Sequence, residues 1–210
     1  MSGVLLPRTC PICGRVGPAP CGPCAAALRP GPLLPPPPGV DVVLAVMAYE
    51  AGGRELVARL KYRNARSALG WIASRQAEQV RRAAVSIDVV TWVPTTPARR
   101  RARGFDQAEL LARGLARRLR RPCRRLLERG AGPAQTGRSA AARRAGPSLR
   151  LARRVVVPAR VLLVDDVVTT GATVAAAART LRSGGAEFVL VSTVARTPLK
   201  RRRKGSETCL

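Results

Sequence analysis

Two adjacent carboxylates, Asp165 and Asp166, stand where a run of branched apolar residues (161–164) ends; Thr169-Thr170-Gly171-Ala172-Thr173 follows two valines later. A short apolar run bounded by turn formers suits a strand covered on both faces in a parallel sheet. Ligands of open α/β sheets collect beyond the carboxyl ends of such strands. A pair of acids there can grip a sugar diol and a hard divalent cation, which takes oxygen ligands. Residues 169–173 offer hydroxyls and successive backbone N–H groups at the start of a helix expected over 174–181. Unpaired donors and the helix dipole hold a phosphate in such a place, and Gly171 is expected to let the backbone approach that anion closely.

Two further clusters carry chemistry. Cys10-Pro11-Ile12-Cys13 and Cys21-Gly22-Pro23-Cys24 are two C-x2-C knuckles separated by seven residues. Together they can close the all-sulfur tetrahedral shell that Zn²⁺ accepts, a structural site with no open position. A segment so short and so rich in Pro and Gly buries little, so the metal would supply its folding free energy. A thioredoxin-like role is disfavoured, because the knuckles lack a βαβ context. The second cluster follows the strand expected over 87–93: Pro94-Thr95-Thr96-Pro97, then Arg99, Arg100, Arg101 and Arg103. Guanidinium groups match phosphate oxygens bidentately, and this arginine-dense stretch is read as a loop suited to pyrophosphate.

The residues from 161 to 173 resemble the PRPP-binding signature of type I phosphoribosyltransferases, in which two acids lead through apolar residues to Thr-Thr-Gly-x-Thr. The resemblance implies an α/β fold of that type, a mainly parallel twisted sheet flanked by helices. Several motifs occur in one order: the four-cysteine pair, Leu60-Lys61-Tyr62, Val93-Pro94, residues 99–103 with Gly104-Phe105-Asp106-Gln107, and Gln135-Thr136-Gly137 before Arg143. That series resembles the ComF family, phosphoribosyltransferase-like proteins associated with DNA uptake in naturally competent bacteria. The resemblance implies that Asp165 and Asp166 are catalytic, that Thr169, Thr170, Gly171, Ala172 and Thr173 take the 5′-phosphate, and that Thr95, Thr96, Arg99 and Arg103 face pyrophosphate. It also implies a closing segment carrying Gln135 and Arg143, with Mg²⁺ accompanying PRPP. DNA-uptake or helicase proteins are the implied partners. The sequence departs from the family pattern at Asp106 and Gly146, where the family usually has Asn.

The elements that must position these groups are read in chain order. Residues 1–28 form the knuckle module, 29–39 a Pro-rich semi-rigid linker, 40–198 the phosphoribosyltransferase-like domain and 199–210 a basic disordered tail. A strand is expected over 40–49, then a helix begun by a Gly52-Gly53 turn, and a second helix over 68–84. Asp106 and Glu109 have capping-box spacing at the head of another helix. Residues 122–148 read as a lid, 155–157 as a short strand and 188–194 as a further parallel strand.

The formal net charge is +26, from 38 Lys and Arg against 12 Asp and Glu. That charge favours polyanions and leaves single-stranded DNA open as a partner. Aromatic residues make up 3%, so extensive base stacking is not expected. No apolar run approaches the length of a membrane span, and a cytoplasmic setting without membrane insertion is expected. Two readings follow: transfer of phosphoribose from PRPP to an acceptor, or a non-enzymatic single-stranded DNA-binding protein with a regulatory or vestigial PRPP site. A PRPP-sensing regulator ranks below both, since no helix-turn-helix is evident.

Overall fold

The computed structural model describes residues 9–62, 66–130 and 147–198. After the short helix α1 (Gly22–Ala26), the chain alternates strand and helix: β1 (Val42–Ala48), α2 (Ala51–Tyr62), α3 (Leu69–Arg82), β2 (Val89–Trp92), α4 (Pro97–Arg103) and α5 (Gln107–Leu119). It continues through β3 (Leu127–Arg129), β4 (Leu149–Leu151), β5 (Arg160–Val168), α6 (Ala172–Ser183) and β6 (Phe188–Arg196). Four strands form one all-parallel sheet in the order β1-β6-β5-β2, while β3 and β4 pair as an antiparallel ribbon.

The apolar run before the two acids is what builds this sheet. Successive strand residues point to opposite faces, and β5 has both faces covered. Leu162 and Val164 join the core formed with α2, α3 and α5, whereas Val161 and Leu163 join the core formed with α6 and the β3–β4 ribbon. All four are fully buried, so an uninterrupted branched run, not an alternating one, is what the strand requires.

Several elements differ from the expectations above. The arginine-dense stretch after Pro94 is a helix, α4. Thr96 is its N-cap, with its Oγ1 accepting from the Arg99 N–H at 3.2 Å, and Pro97 stands at its first position. That pairing is a helix start in its own right; the density of charge after it obscures the signal. Gly52 and Gly53 lie inside the first turn of α2. A side chain at Gly53 would strike the Ala48 carbonyl, so close approach explains this glycine. Residues 155–157 form no strand, and Val156 is 83% exposed. The nearby ribbon strand is β4, and Leu126 and Leu127 ahead of it are buried. Residues 127–129, which fall within the expected lid, are strand β3, and Gln135 and Arg143 lie outside the described residues.

Residues 29–37 are extended and docked, and a turn at 38–39 leads into β1. The Arg29 carbonyl accepts from Ala48 N–H at 2.8 Å and Pro30 bridges Met47 in antiparallel sense, which lays this segment along the outer edge of β1. Proline on a sheet edge removes a donor and blunts pairing with other chains. Further on, the Arg196 guanidinium donates to the Leu34 and Pro35 carbonyls at 2.9 and 2.7 Å. Arg182 ties down Gly39 and Asp41 at 2.8 and 2.6 Å. The polyproline run is a strap across the sheet edge and α6.

Candidate functional site at the carboxyl edge of the sheet

β5 continues as a strand through both acids to Val168, so Asp165 and Asp166 belong to its last turns of pleat rather than to the loop. Asp165 stands opposite Thr193 of β6 and is 8% exposed; its Oδ1 accepts from the Asp166 N–H at 2.8 Å. Thr193 Oγ1 donates to the Asp166 carbonyl at 3.0 Å. The neighbouring strand thus fixes the backbone that carries the two carboxylates.

A cavity of about 190 Å³ opens beside them. Its walls include Asp165 and Asp166, Thr95 after β2, Arg99 and Arg103 on α4, Asp106 and Gln107 at the head of α5, Arg129 at the end of β3, and Thr173. The structure brings the predicted pyrophosphate residues Thr95, Arg99 and Arg103 to the two acids. Thr96 is spent on capping α4 and does not line the cavity. A second hollow, about 20 Å³, is enclosed by Asp165 and residues 167–174, so Thr169, Thr170, Gly171, Ala172 and Thr173 surround one small space. Thr173 and Asp165 line both. Gly171 is the N-cap of α6 and supplies no side-chain cap, while Thr170 Oγ1 accepts from Ala172 N–H at 3.4 Å. The first turn of α6 therefore keeps backbone donors for an anion.

Gly171 serves a purpose that its neighbours in sequence do not disclose. It adopts φ +79°, and a Cβ built on it falls 2.5 Å from Pro37 Cγ. The strap, not an anion, fills the room left by the missing side chain. Gly171→Ala should therefore cost about 2 kcal/mol and lower Tm by roughly 4–8 °C for a chain of this size. Adding Pro37→Gly should restore part of that stability by removing the collision, which thermal melts of the wild type and the two variants would measure. Equal destabilisation with and without the second change would mean that the strap contact is irrelevant.

Two contacts could not be read from the sequence. The Asp106 carboxylate caps α5 by accepting from Ala108 and Glu109 N–H at 3.1 and 3.4 Å, and its other oxygen accepts from Thr95 N–H at 2.9 Å. One side chain thus holds both the helix start and the loop after β2. Burial pushes its pKa upward against the lowering effect of the three backbone donors. Glu109 turns to Arg113, at 2.8 Å, instead of completing the box. Arg129 Nε donates to the Pro94 carbonyl at 2.9 Å, so the ribbon reaches into the same wall. Capping spacing marks Asp106, but nothing local marks its partner at position 95 or the role of Arg129.

The four N-terminal thiols form a separate cluster. The Sγ atoms of Cys10, Cys13, Cys21 and Cys24 all lie within 4.8 Å of one another, with Cys13 and Cys21 at 3.7 Å. Zn–S bonds of about 2.3 Å in a tetrahedron place sulfurs roughly 3.8 Å apart, so the donor set fits that ion. Cys10 Sγ accepts from Ile12 and Cys21 N–H at 3.5 and 3.4 Å. Burial opposes ionisation of Cys10, but backbone donors at Cys13, Cys21 and Ile12 outweigh it and bring its pKa to about 6. Cys24 is pushed up to about 12, first by its hydrogen bond with Cys21, then by burial and the other two sulfurs. Ionising all four thiols in so small a space would require a cation. The cluster packs onto the main body through Ile12 and Leu28, which approach Gly52 at the start of α2.

Comparison with known proteins places the chain in a family. Residues 106–207 match the phosphoribosyl transferase domain, which defines the class: a type I phosphoribosyltransferase fold. Over 196 residues the chain is 31% identical to the DNA utilization protein YhgH of Salmonella typhimurium, covering 90% of this chain and 84% of that one. The chain belongs to the ComF family of phosphoribosyltransferase-like proteins. Among solved structures, glutamine PRPP amidotransferase from B. subtilis, complexed with ADP and GMP, superposes with a TM-score of 0.42 at 28% identity over 61% of this chain; the chain spans 26% of its length. Purine phosphoribosyltransferase from Pyrococcus horikoshii Ot3 gives 0.40 at 19% identity, over 61% of this chain and 82% of that one. No helix among the described residues is long and apolar enough to cross a membrane.

Proposed function

We propose that the protein binds PRPP with Mg²⁺ and transfers its phosphoribose to an acceptor nucleophile, releasing pyrophosphate, in a cytoplasmic setting of DNA uptake or processing. The observation that carries this reading is the meeting of Asp165 and Asp166 with Arg99 and Arg103 in one cavity, next to the hollow made by residues 167–174. Thr169, Thr170, Gly171, Ala172 and Thr173 hold the 5′-phosphate through main-chain donors and hydroxyls. Asp165 and Asp166 hold the ribose hydroxyls and the bound cation, whose chemistry is to offset charge on the diphosphate oxygens. As the bond from C1 to the diphosphate breaks, Arg99 and Arg103 neutralise the leaving group's growing charge. Thr95, fixed by Asp106, supports the wall behind it, and Thr96 contributes by starting α4. Gln135 and Arg143 are assigned to the closing segment. The chain has no histidine, so a proton lost by the acceptor passes to a carboxylate or to the substrate itself. Cys10, Cys13, Cys21 and Cys24 hold a structural Zn²⁺. Calorimetric titration with PRPP should give saturable binding that requires Mg²⁺, followed by pyrophosphate release with the right acceptor; heats of dilution alone would refute the reading.

A second reading, single-stranded DNA binding, is favoured by a groove of about 400 Å³ at the end of α5, lined by Arg113, Ala116, Arg117, Arg120, Arg121 and Cys123. Arg113 is paired with Glu109, whereas Arg120 and Arg121 have no ion-pair partner among the described residues. Arg117→Glu with Arg121→Glu should weaken single-stranded DNA binding and flatten its salt dependence, by about 0.7 in slope for each phosphate no longer neutralised. PRPP binding should not change. Unaltered DNA affinity in the double variant would remove this groove from consideration.

A further inference from the structure

Gln107 is the most unusual polar residue of the cavity. It occupies the first position of α5 and is only 4% exposed, yet both atoms of its carboxamide, Oε1 and Nε2, are buried without a hydrogen-bond partner among the described residues. Leaving one such group unpaired costs about 1–3 kcal/mol, and buried polar groups almost always find partners. Neighbouring residues do not suffer this: Asp106, one position earlier, satisfies three backbone donors. Methionine or leucine would fill the same volume without the penalty. The amide therefore either lacks a purpose or awaits a ligand, and it lines the cavity that holds Arg99, Arg103, Asp165 and Asp166.

The chemistry of those walls narrows the ligand. The Arg99 guanidinium in the cavity wall suits an anion with several oxygens. A carboxamide adds what arginine lacks, an acceptor beside a donor. The fully ionised oxygens of a phosphate ester would satisfy Nε2 only. A diphosphate that carries a hydrated divalent cation offers both, since such a cation keeps water molecules in its shell.

We infer that Gln107 is a binding residue for the diphosphate end of PRPP, with Nε2 donating to a diphosphate oxygen and Oε1 accepting from water on the accompanying cation. The inference rests on the PRPP reading above and adds to it a contact that distinguishes the diphosphate from the phosphate at C5. Its place at the head of α5, pinned to residue 95 through Asp106, makes the contact part of the same rigid wall.

The test compares the wild-type chain with Gln107→Met and Gln107→Glu. Affinities for PRPP, pyrophosphate and ribose 5-phosphate are measured by calorimetry in Mg²⁺, with thermal melts of the free proteins. Gln107→Met should fold with undiminished Tm while PRPP and pyrophosphate bind roughly 10- to 100-fold more weakly. Gln107→Glu, which sets a like charge against the diphosphate, should lose more. Ribose 5-phosphate, which lacks the diphosphate, should bind all three proteins alike. If wild-type PRPP binding is intact and Gln107→Met leaves both PRPP and pyrophosphate affinities unchanged, the inference is overturned and the PRPP reading stands. Equal weakening of all three ligands would also overturn it, by pointing to general damage. If the wild type binds no PRPP, the functional reading itself fails and takes this contact with it.

Discussion

Replacing Asp165 and Asp166 together by asparagine is expected to abolish Mg²⁺-dependent PRPP binding, with at least a 100-fold fall in affinity, on the order of two charge-assisted interactions removed. The asparagine side chain is nearly isosteric with aspartate, and the Oδ1 that accepts the Asp166 N–H has a counterpart in it. The strand register, set by pairing of Asp165 with Thr193 and of Val167 with Ala195, does not depend on either carboxylate. The fold should therefore survive, which far-UV circular dichroism would check. What disappears is anionic oxygen in the cavity wall, at Asp165 also where the cavity meets the small hollow. A hard cation prefers such oxygen to an amide. Arg99 and Arg103 would then face the diphosphate without the counterweight that the cation and acids provide together. Calorimetry in the presence and absence of Mg²⁺ gives the answer, and a double variant that still binds PRPP tightly and still needs Mg²⁺ would remove the acids from the proposed site.

This region is legible in the sequence because its parts are contiguous. β5, its two acids and the loop into α6 follow one another, and each carries a local signal: an apolar run for a strand buried on both faces, a glycine where φ is positive, and small residues at the head of a helix. The cavity wall across from the two acids is legible only in part. Residue type marks the whole run Arg99, Arg100, Arg101 and Arg103, and that density of charge masks the Thr96-Pro97 helix start and suggests a loop. The contacts that assemble the wall come from far apart in the chain, Asp106 to Thr95 and Arg129 to Pro94. No spacing rule encodes such pairs; they follow from the packing of α5 and the ribbon against the sheet.

The Pro-rich segment divides in the same way. Its composition implies an extended chain without internal hydrogen bonds, and residues 29–37 are extended before the turn at 38–39. Composition is silent on whether such a chain is free or docked. Docking depends on Arg196 at the end of β6 and Arg182 on α6, which supply donors to carbonyls that a proline run cannot pair within itself. Arg196 is 5% exposed, and burial lowers its pKa; its guanidinium is devoted to the strap. The consequence reaches the site, because Pro37 seats against Gly171 in the hollow's own loop. Sequence neighbours of the thiol module thus brace the loop to which the 5′-phosphate is assigned.

Removing zinc should have the other large effect, centred on the N-terminal module. Between residues 9 and 28 the only helix has five residues, none of them buried, and the only strand pairing is one bridge between Thr9 and Val16. Segments of this size do not fold on apolar burial alone, and zinc binding in comparable small modules contributes about 10–16 kcal/mol. Cys24→Ser, or treatment with a strong chelator, should therefore release one metal ion per chain. Amide hydrogen exchange over residues 10–28 should then rise to rates near those of an unfolded chain. The parallel sheet should persist, since the cores on its two faces draw only partly buried Ile12 and Leu28 from this module. Exchange should also rise at Ala48, whose N–H is held by the Arg29 carbonyl just beyond the module, and less so at β5 in the sheet's interior. Protection of residues 10–28 that survives complete metal removal would show that thiol packing alone sustains the module, and the zinc assignment would fall.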